Sequence, residues 1–369
     1  MRKNILFFAP KSPPVSGLAN ISATLADLLV AEGHRVERLS TVPSFAATLY
    51  PGILWQICRA FFFVFWVVPG VLFHLIGKDL FYINVNGGSA LAFDFVFAYL
   101  GRVFQNKLVI HHNSFSYLND RSYLAGLVFR MAGSKAMHVV NCECMKKRLE
   151  QLYQLDGQSI CISNAQLLSR NRDDVVHHQP IDDLDIRHGT FRVGFMGYYT
   201  ADKGLDLFCE TIEAAKDLGA DITAVAAGIV HDPGFFENIK EKYGNIVEFH
   251  GPKYGEEKDL FFAHIDALLF PSKYRTEAEP LIIYDAVSAG TEVFGTDVGC
   301  LSEMLERYSG CHSTSIGKFT GRTAEKLLQR SASSTAERQA ARQQLLFEYH
   351  SWNEAGRSDL DHFLAKIAA

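Results

Sequence analysis

Two acidic residues eight positions apart, Glu277 and Asp285, flank a proline in the segment EAEPLIIYD. Proline is favoured in the first turn of a helix, so Pro280 predicts a helix that carries Asp285 one to two turns inside it. Glu277 then lies in the preceding loop. A loop carboxylate can accept hydrogen bonds from sugar hydroxyls, a helical one can bind a ribose diol, and the helix N-terminus attracts a diphosphate. The competing interpretation is a pair of ordinary surface acids.

A lysine and a serine–glycine pair could also contact phosphate. Lys203 lies in GYYTADKG after a predicted strand, at the mouth of a parallel sheet, where ligands bind. Its ammonium is a compact charge suited to phosphate, although a solvated loop lysine shows the same pattern. Ser16 and Gly17 end the loop PPVSG between the first strand and the first helix. The glycine lets the backbone approach an anion at the helix N-terminus, although a tight turn without a ligand would also explain it.

Short apolar runs followed by polar or small residues indicate the strands that must position these side chains. They cover residues 4–9, 80–85, 108–111, 136–140, 159–162, 191–196, 222–227, 247–249 and 267–270. Helical patterns cover residues 21–33, 205–218 and 281–289. A strand, a glycine-containing loop and a helix are the opening of a doubly wound α/β domain, and the pattern restarts near residue 191. We predict two such domains, residues 1–165 and 191–349, joined by a polar linker at 166–190.

The composition bounds the function. The 369 residues are 48% apolar and 21% charged, which is typical of a globular chain long enough for two domains. A net charge of −5 argues against a nucleic-acid partner, and no GxGxxG follows a predicted strand, which argues against an NAD enzyme. The seven cysteines form no CxxC pair and no zinc spacing. Charge and proline interrupt the first apolar run too early for a signal peptide, so we expect a cytoplasmic protein.

Residues 53–76 form the most apolar segment, and residues 60–77 contain no Lys, Arg, Asp or Glu. A spanning helix needs about 20 apolar residues, and Pro69 and Gly70 interrupt this segment. Three interpretations stay open: core helices, a helix lying flat in a membrane interface, and a true span. Residues 1–165 carry 15 Lys and Arg against 9 Asp and Glu, which favours anionic lipid. Peripheral contact with the inner face of a membrane is therefore one expectation.

The chain resembles the retaining GT-B glycosyltransferases of glycosyltransferase family 4 over nearly its whole length. The likeness rests on PPVSG, ISNA at 162–165, Lys203-Gly204, the Glu277-x7-acid motif, TDVGCLSE at 296–303 and YHSW at 349–352. The acid motif with the upstream lysine is its specific part. The resemblance implies a GT-B fold: two Rossmann-like, doubly wound domains that face a central cleft. It also implies that residues 350–369 cross back to the first domain.

The resemblance assigns roles to the candidate residues. Ser16 and Gly17 would contact the donor diphosphate, and Lys203 would neutralise it. Glu277 would hold the transferred sugar, and Asp285 the ribose of the nucleotide. Asp285 is one methylene shorter than the Glu of many relatives, so its ribose contact would be longer or mediated by water.

Two further positions bear on the site. His112 matches a histidine beside the donor sugar in relatives, and His111 competes with it because neighbouring strand residues point in opposite directions. Tyr198 stands where many relatives have an arginine on the diphosphate, and Arg275 is the candidate substitute. The site would then lack one phosphate contact or receive it from another loop.

The implied reaction is transfer of a sugar from a nucleotide-sugar donor to a hydroxyl acceptor, with retention and without a protein nucleophile. No DxD cluster lies in a suitable loop, so we expect neither a metal nor a cofactor. The apolar and basic first half favours a lipid-linked saccharide as acceptor, in polysaccharide or glycan biosynthesis. Two alternatives stay open: a GT-B sugar-nucleotide epimerase, and a non-catalytic membrane-associated homologue, which Tyr198 would permit.

Overall fold

The computed structural model describes residues 2–11, 17–40, 53–85, 87–155, 159–172 and 189–369. The chain divides into two compact units, Met1–Val175 with Ala355–Ala369, and Val176–Glu354. The chain therefore returns to the first unit after residue 354, a few residues later than the sequence suggested.

The predicted linker at 166–190 is wrong for its first residues. They belong to helix α7, Asn164–Arg172, which packs against the first helix of the chain, Gly17–Ala31. Leu167 is 1% exposed, and burial of such side chains stabilises a helix whose own apolar periodicity is weak.

A six-stranded parallel sheet forms the centre of the first unit as far as it is described, in the order β2-β1-β3-β4-β5-β6. Its strands are β1 (Asn4–Ala9), β2 (Arg35–Ser40), β3 (Leu80–Val85), β4 (Lys107–His112), β5 (Met137–Val140) and β6 (Ser159–Cys161). The helices are α1 (Gly17–Ala31), α2 (Ile53–Phe62), α3 (Val68–His74), α4 (Leu91–Val103), α5 (Tyr123–Ala132), α6 (Glu143–Tyr153) and α7. Strands β1 and β3 are almost wholly buried, as parallel strands with two covered faces must be.

The described part of the second unit has its own six-stranded parallel sheet, in the order β12-β11-β10-β7-β8-β9. Its strands are β7 (Phe191–Tyr199), β8 (Ile222–Val230), β9 (Glu248–His250), β10 (Ala267–Phe270), β11 (Glu292–Thr296) and β12 (His312–Thr314). The helices are α8 (Leu205–Asp217), α9 (Pro233–Tyr243), α10 (Glu256–Ala263), α11 (Leu281–Ser288), α12 (Leu301–Leu305), α13 (Phe319–Ser331) and α14 (Thr335–Ala368). The unit's core joins buried residues of the central strands to α8, α9 and α13.

Each sheet has a point where the strand order reverses. It lies between β1 and β3 in the first unit and between β7 and β10 in the second. Open parallel sheets bind ligands outside the carboxyl ends of their strands at such a switch point. The loops after these four strands are therefore the places to look for a site.

The apolar segment is one continuous helix through Ile53–His74, which we call the apolar helix. A single π turn at Phe63–Val67 joins α2 to α3. The expected break at Pro69 is absent: this residue lies just after the π turn, and the helix continues through it to His74. By length and composition alone, residues Leu54–His74 could cross a membrane.

Candidate active site

Lys203 and Glu277 meet at the switch point of the second sheet. Lys203 lies in the loop after β7 and Glu277 in the loop after β10, and Nζ of Lys203 is 2.6 Å from Oε2 of Glu277. The hydroxyl of Ser272 donates a longer hydrogen bond of 3.4 Å to the same oxygen. The two charged side chains are 26% and 14% exposed, so solvent still reaches both. Two residues predicted for one site therefore lie together.

Close packing between the two loops fixes this geometry. Gly204, which precedes α8, has a φ of +78°, and a Cβ there would lie 2.0 Å from the carbonyl oxygen of Pro271. The position therefore requires glycine for its conformation and for lack of space. The N–H of Lys273 donates to the carbonyl of Asp202 at 2.8 Å, and its ammonium lies 2.7 Å from Asp206. Lys203 and Glu277 are thus held by loops that are bonded to each other.

Asp285 lies one turn inside α11, as the spacing predicts. Its Oδ2 accepts a hydrogen bond of 2.9 Å from the ammonium of Lys258 on α10, and its side chain is 10% exposed. The carboxylate predicted to bind ribose therefore already has a cationic partner. Lys258 was not predicted from the sequence, because a lysine within the charged run GEEKD gives no functional signal.

A buried network beneath α11 holds that helix in place. Tyr284 donates its hydroxyl to Glu279, the middle acid of the EAE segment, and its ring stacks on Trp352 with centroids 6.2 Å apart. The guanidinium of Arg307 lies 4.4 Å from the Trp352 ring and pairs with Glu303 at 2.7 Å. Burial, followed by the Glu279 charge, raises the pKa of Tyr284 well above its usual value, so the phenol stays protonated and can donate. These supporting residues carried no sequence signal beyond the YHSW segment.

Arg275 is exposed in the loop that also carries Glu277. Its neighbour Tyr274 places its ring 5.1 Å from the Lys203 ammonium, a cation–π contact. Tyr198 is 38% exposed and packs edge-on against His231, with centroids 5.8 Å apart. A diphosphate contact by Arg275 stays a prediction.

In the first unit, Gly17 is exposed and is the first residue of α1, which follows β1 at the switch point. A helix N-terminus in this place presents free N–H groups to an anion. Ser16, predicted beside it, lies outside the described residues.

His112 ends β4 in the interior of the first unit. Its Nδ1 is hydrogen-bonded to the Tyr117 hydroxyl and its Nε2 to Nδ1 of His138, both at 2.9 Å. Its neighbour His111 bonds the Tyr82 hydroxyl at 2.6 Å and the Asn141 side chain at 3.0 Å. The two histidines point to different partners, as strand alternation predicts. A contact between a His112 ring nitrogen and a sugar would require one of these bonds to open.

Burial keeps these histidines neutral. It lowers the pKa of both His111 and His138 to about 4. The pKa of His112 is lowered well below its usual value by burial and then by the two neighbouring rings. Near neutral pH, His112 can therefore offer a neutral hydrogen-bonding group but not an imidazolium.

Within the described residues, no group of three or more His, Cys, Asp and Glu side chains could hold a metal ion. The charges at the second sheet's switch point come from lysine and carboxylate side chains.

Comparison with known proteins indicates the class of enzyme to which this site belongs. Residues 180–334 match the family model described as "Glycosyl transferases group 1". Sucrose-phosphate synthase from Thermosynechococcus elongatus superposes with a TM-score of 0.69 at 16% identity, over 99% of both chains. HepE from Anabaena in complex with UDP gives 0.64 at 16% identity, also over 99% of both. The catalytic domain of starch synthase IV from Arabidopsis thaliana gives 0.65 at 13% identity, over 99% of this chain and 100% of that one. No curated protein matches the sequence.

Two parallel six-stranded sheets with surrounding helices match these structures and define the GT-B fold, so the predicted fold class is confirmed. The region that matches this family model contains Lys203, Glu277 and Asp285. With this fold and this match, the protein is a glycosyltransferase, which confirms the predicted enzyme class.

Proposed function

We propose that the protein transfers a sugar from a nucleoside-diphosphate donor to an acceptor hydroxyl, with retention at the anomeric carbon. The observation that carries the proposal is the 2.6 Å contact between Lys203 and Glu277 at the switch point within the matched domain. The donor class is supported by HepE, solved with UDP-glucose, and by starch synthase IV, solved with ADP. Retention is supported by the resemblance to family 4.

In the proposed step, the acceptor oxygen bonds to the anomeric carbon on the face that the diphosphate leaves. The bond between that carbon and the phosphate oxygen breaks, and the acceptor proton passes to the departing diphosphate. Lys203 stabilises the charge that develops on the leaving group, and Glu277 accepts hydrogen bonds from the sugar hydroxyls. Because their charged atoms lie within hydrogen-bond distance, one ligand carrying both a phosphate and a sugar can contact the two residues together.

The other predicted residues complete the proposed donor site. Asp285 accepts hydrogen bonds from the ribose while Lys258 holds its carboxylate in place. The resemblance to family 4 alone assigns Gly17 and Ser16 to the diphosphate and His112, as a neutral group, to the sugar.

We propose that protein charges, and neither a metal nor an organic cofactor, neutralise the diphosphate. Lys203 supplies one positive charge, and Arg275 in the neighbouring loop supplies a second. Loss of one such preorganised donor typically costs about 10²–10³ in rate. That magnitude makes the proposal testable by single substitutions.

The proposed acceptor is a lipid-linked saccharide of polysaccharide or glycan biosynthesis, at the cytoplasmic face of a membrane. The support is an apolar helix that lies in the basic half of the chain and is mostly not buried. The acceptor hydroxyl would then be presented at the lipid surface.

The test is a panel of nucleotide sugars with lipid-linked and soluble saccharide acceptors, followed by release of nucleoside diphosphate and by detection of the glycosylated product. We expect Lys203→Ala and Glu277→Ala each to lower turnover by about 10²–10³ without unfolding the protein. The anomeric configuration of the product, read by NMR, tests retention.

Matched controls are available on one exposed helix. Lys240→Ala and Glu241→Ala remove the same charges from α9, where both side chains are exposed, and should leave turnover unchanged. Near-normal turnover by the Lys203 or Glu277 variant would contradict the assigned roles. Nucleoside diphosphate released without any glycosylated product would point to the epimerase alternative. A protein that binds no nucleotide would point to the non-catalytic alternative.

A further inference from the structure

One face of the apolar helix is packed against the first unit. Its buried side chains, at most 7% exposed, are Trp55, Phe63, Val67, Val71 and the following Leu75. The Phe63 ring lies 3.8 Å from that of Phe93 and 5.2 Å from that of Phe97, both on α4. At the C-terminal end, His74 pairs with Glu37 of β2. These contacts fix how the helix is oriented on its unit.

The opposite face is apolar as well, and it is exposed. The side chains between 54% and 73% exposed are Leu54, Phe61, Phe65, Trp66, Phe73 and the following Ile76. Only 17% of the most apolar 18-residue window is buried, so the helix is not a core helix. Every exposed side chain of residues 61–76 is apolar or aromatic, and a surface of this kind marks a site for a partner or a membrane.

We propose that this exposed face lies in the interfacial region of an anionic lipid bilayer, with the helix axis parallel to the membrane plane. The inference extends the proposed function, since it would hold the protein where a lipid-linked acceptor is found. It rests on the helix and on the charge of the half of the chain that carries it, and it requires no catalytic step.

The orientation follows from the two faces. A span would pull Phe63, Val67 and the other packed side chains away from α4 and the rest of the unit. Lying flat keeps those contacts and places the second apolar face in the headgroup and acyl boundary, where interfacial helices bury their apolar side by about 5–10 Å. A π turn has more residues per turn than an α-helix, so it changes the direction in which the following side chains point. Phe63 and Val67, at the two ends of the π turn, are both buried, and the packed and exposed faces each continue past it.

Lipid fits this face better than a second protein surface does. Protein interfaces form about one hydrogen bond per 100–200 Å², whereas the exposed side chains of residues 61–76 offer one polar atom, the indole nitrogen of Trp66. The charge of the surrounding half of the chain agrees with an anionic surface, with 15 Lys and Arg against 9 Asp and Glu in residues 1–165. Trp66 and Phe73 have the side-chain types that interfacial helices place on their membrane face.

The experiment is flotation of the full-length protein with vesicles of phosphatidylcholine, alone or with phosphatidylglycerol. We expect the protein to float, and to bind more strongly when phosphatidylglycerol is present. Trp66→Ser/Phe73→Ser should weaken binding by about tenfold or more, since two large apolar side chains leave the lipid. The matched control Tyr123→Ser/Phe347→Ser removes aromatic residues that are 73% and 67% exposed elsewhere, and should bind like the unaltered protein.

Tryptophan fluorescence gives a second readout. Trp66 is 68% exposed while Trp55 is 7% exposed, so brominated lipids should quench Trp66, and Trp66→Phe should remove most of that quenching while binding persists. Light scattering in the absence of vesicles reports whether the face instead joins two copies.

Three outcomes would overturn the proposal: no flotation, equal flotation of the Trp66/Phe73 variant, or a dimer that this variant dissociates while vesicles are not bound. The test separates the inference from the proposed function. Lys203→Ala should float normally although it does not transfer sugar. Conversely, a protein that transfers sugar to a soluble acceptor but does not float with vesicles would contradict the membrane contact and leave the proposed sugar transfer in place.

Discussion

The ion pair between Lys203 and Glu277 contributes little to the stability of the fold, but its position at the switch point indicates a ligand site. A pair with this much solvent access typically contributes about 0–1 kcal/mol to folding. Removing either charge should therefore affect ligand binding and turnover far more than stability. This difference allows the variants proposed above to be read as tests of function.

The buried histidines make stability dependent on pH. His111 and His138 titrate near 4 in the folded protein and near 6.5 when unfolded, so between these pH values the unfolded chain binds more protons. Their contribution is complete above pH 6.5 and is lost as the pH falls toward 4. Each pH unit in that window costs on the order of 1 kcal/mol per histidine. We expect the unfolding free energy to fall from pH 7 to pH 5, measured by urea denaturation.

Substitution of His138 isolates this effect. His138→Gln should flatten the pH dependence in that window, even if it lowers stability at neutral pH, because one titrating group is gone. His362→Gln replaces an exposed histidine and should leave the slope unchanged. Equal slopes for His138→Gln and the unaltered protein would contradict this account. Working above pH 5 keeps most carboxylates ionised, so they add little to the slope.

At the scale of elements, the site depends on the contact between the β7 and β10 loops. Gly204→Ala should lower stability and turnover together, because its Cβ would collide with the Pro271 carbonyl 2.0 Å away. Gly219→Ala is the matched control, with a φ of +92° and nothing within 4 Å of its Cβ. It should cost only the left-handed backbone strain of about 1–2 kcal/mol. Melting temperature and turnover of both variants check this, and equal losses would show that the loop contact is unimportant.

The central strands of the two sheets were predicted from the sequence better than the edge strands. The bounds of β1, β3 and β10 agree with the predicted runs because buried parallel strands are continuous apolar segments. Strand β2 was missed, since an edge strand reading RVERLS buries little. Strand β11 was missed although it is buried, because Glu292 and Gly295 interrupt its apolar pattern.

The site was predictable only in part, for a related reason. Lys203 and Glu277 lie in recognisable motifs after strands, so their proximity could be expected from sequence, and Pro280 correctly predicted the helix that carries Asp285. Lys258 and Trp352 act through contacts with residues distant in the chain, and local patterns contain no information on such pairs. The surroundings of the apolar helix could not be predicted, because its composition does not distinguish a packed apolar face from an exposed one. In the structure, one face is buried and the opposite face is exposed.

At the scale of the whole molecule, charge is divided between the halves of the chain. Residues 1–165 hold 15 Lys and Arg against 9 Asp and Glu, and residues 166–369 hold 21 against 32. An anionic membrane would therefore attract the half that carries the apolar helix and repel the other half. Salt should weaken the electrostatic part of membrane binding and leave the apolar part in place.

The chain order of the two units also has a consequence for stability. Helix α14 begins in the second unit and ends in the first, so residues at the C-terminus complete the core of the domain that is synthesised first. Its last turns bury Leu360, Phe363 and Ile367, each at most 1% exposed. A fragment ending near residue 175 would lack these side chains and leave the surface they cover open to water.

The contribution of this terminal segment can be measured with adjacent substitutions in the intact protein. Phe363→Ala should lower the unfolding free energy of the first unit by about 3–5 kcal/mol, because it leaves a cavity in a closed core. His362→Ala changes the neighbouring exposed residue and should stay within about 0.5 kcal/mol of the unaltered protein. Thermal unfolding followed by calorimetry checks both values. Similar stability of the two variants would mean that the C-terminal turns lie on the first unit without contributing to its core.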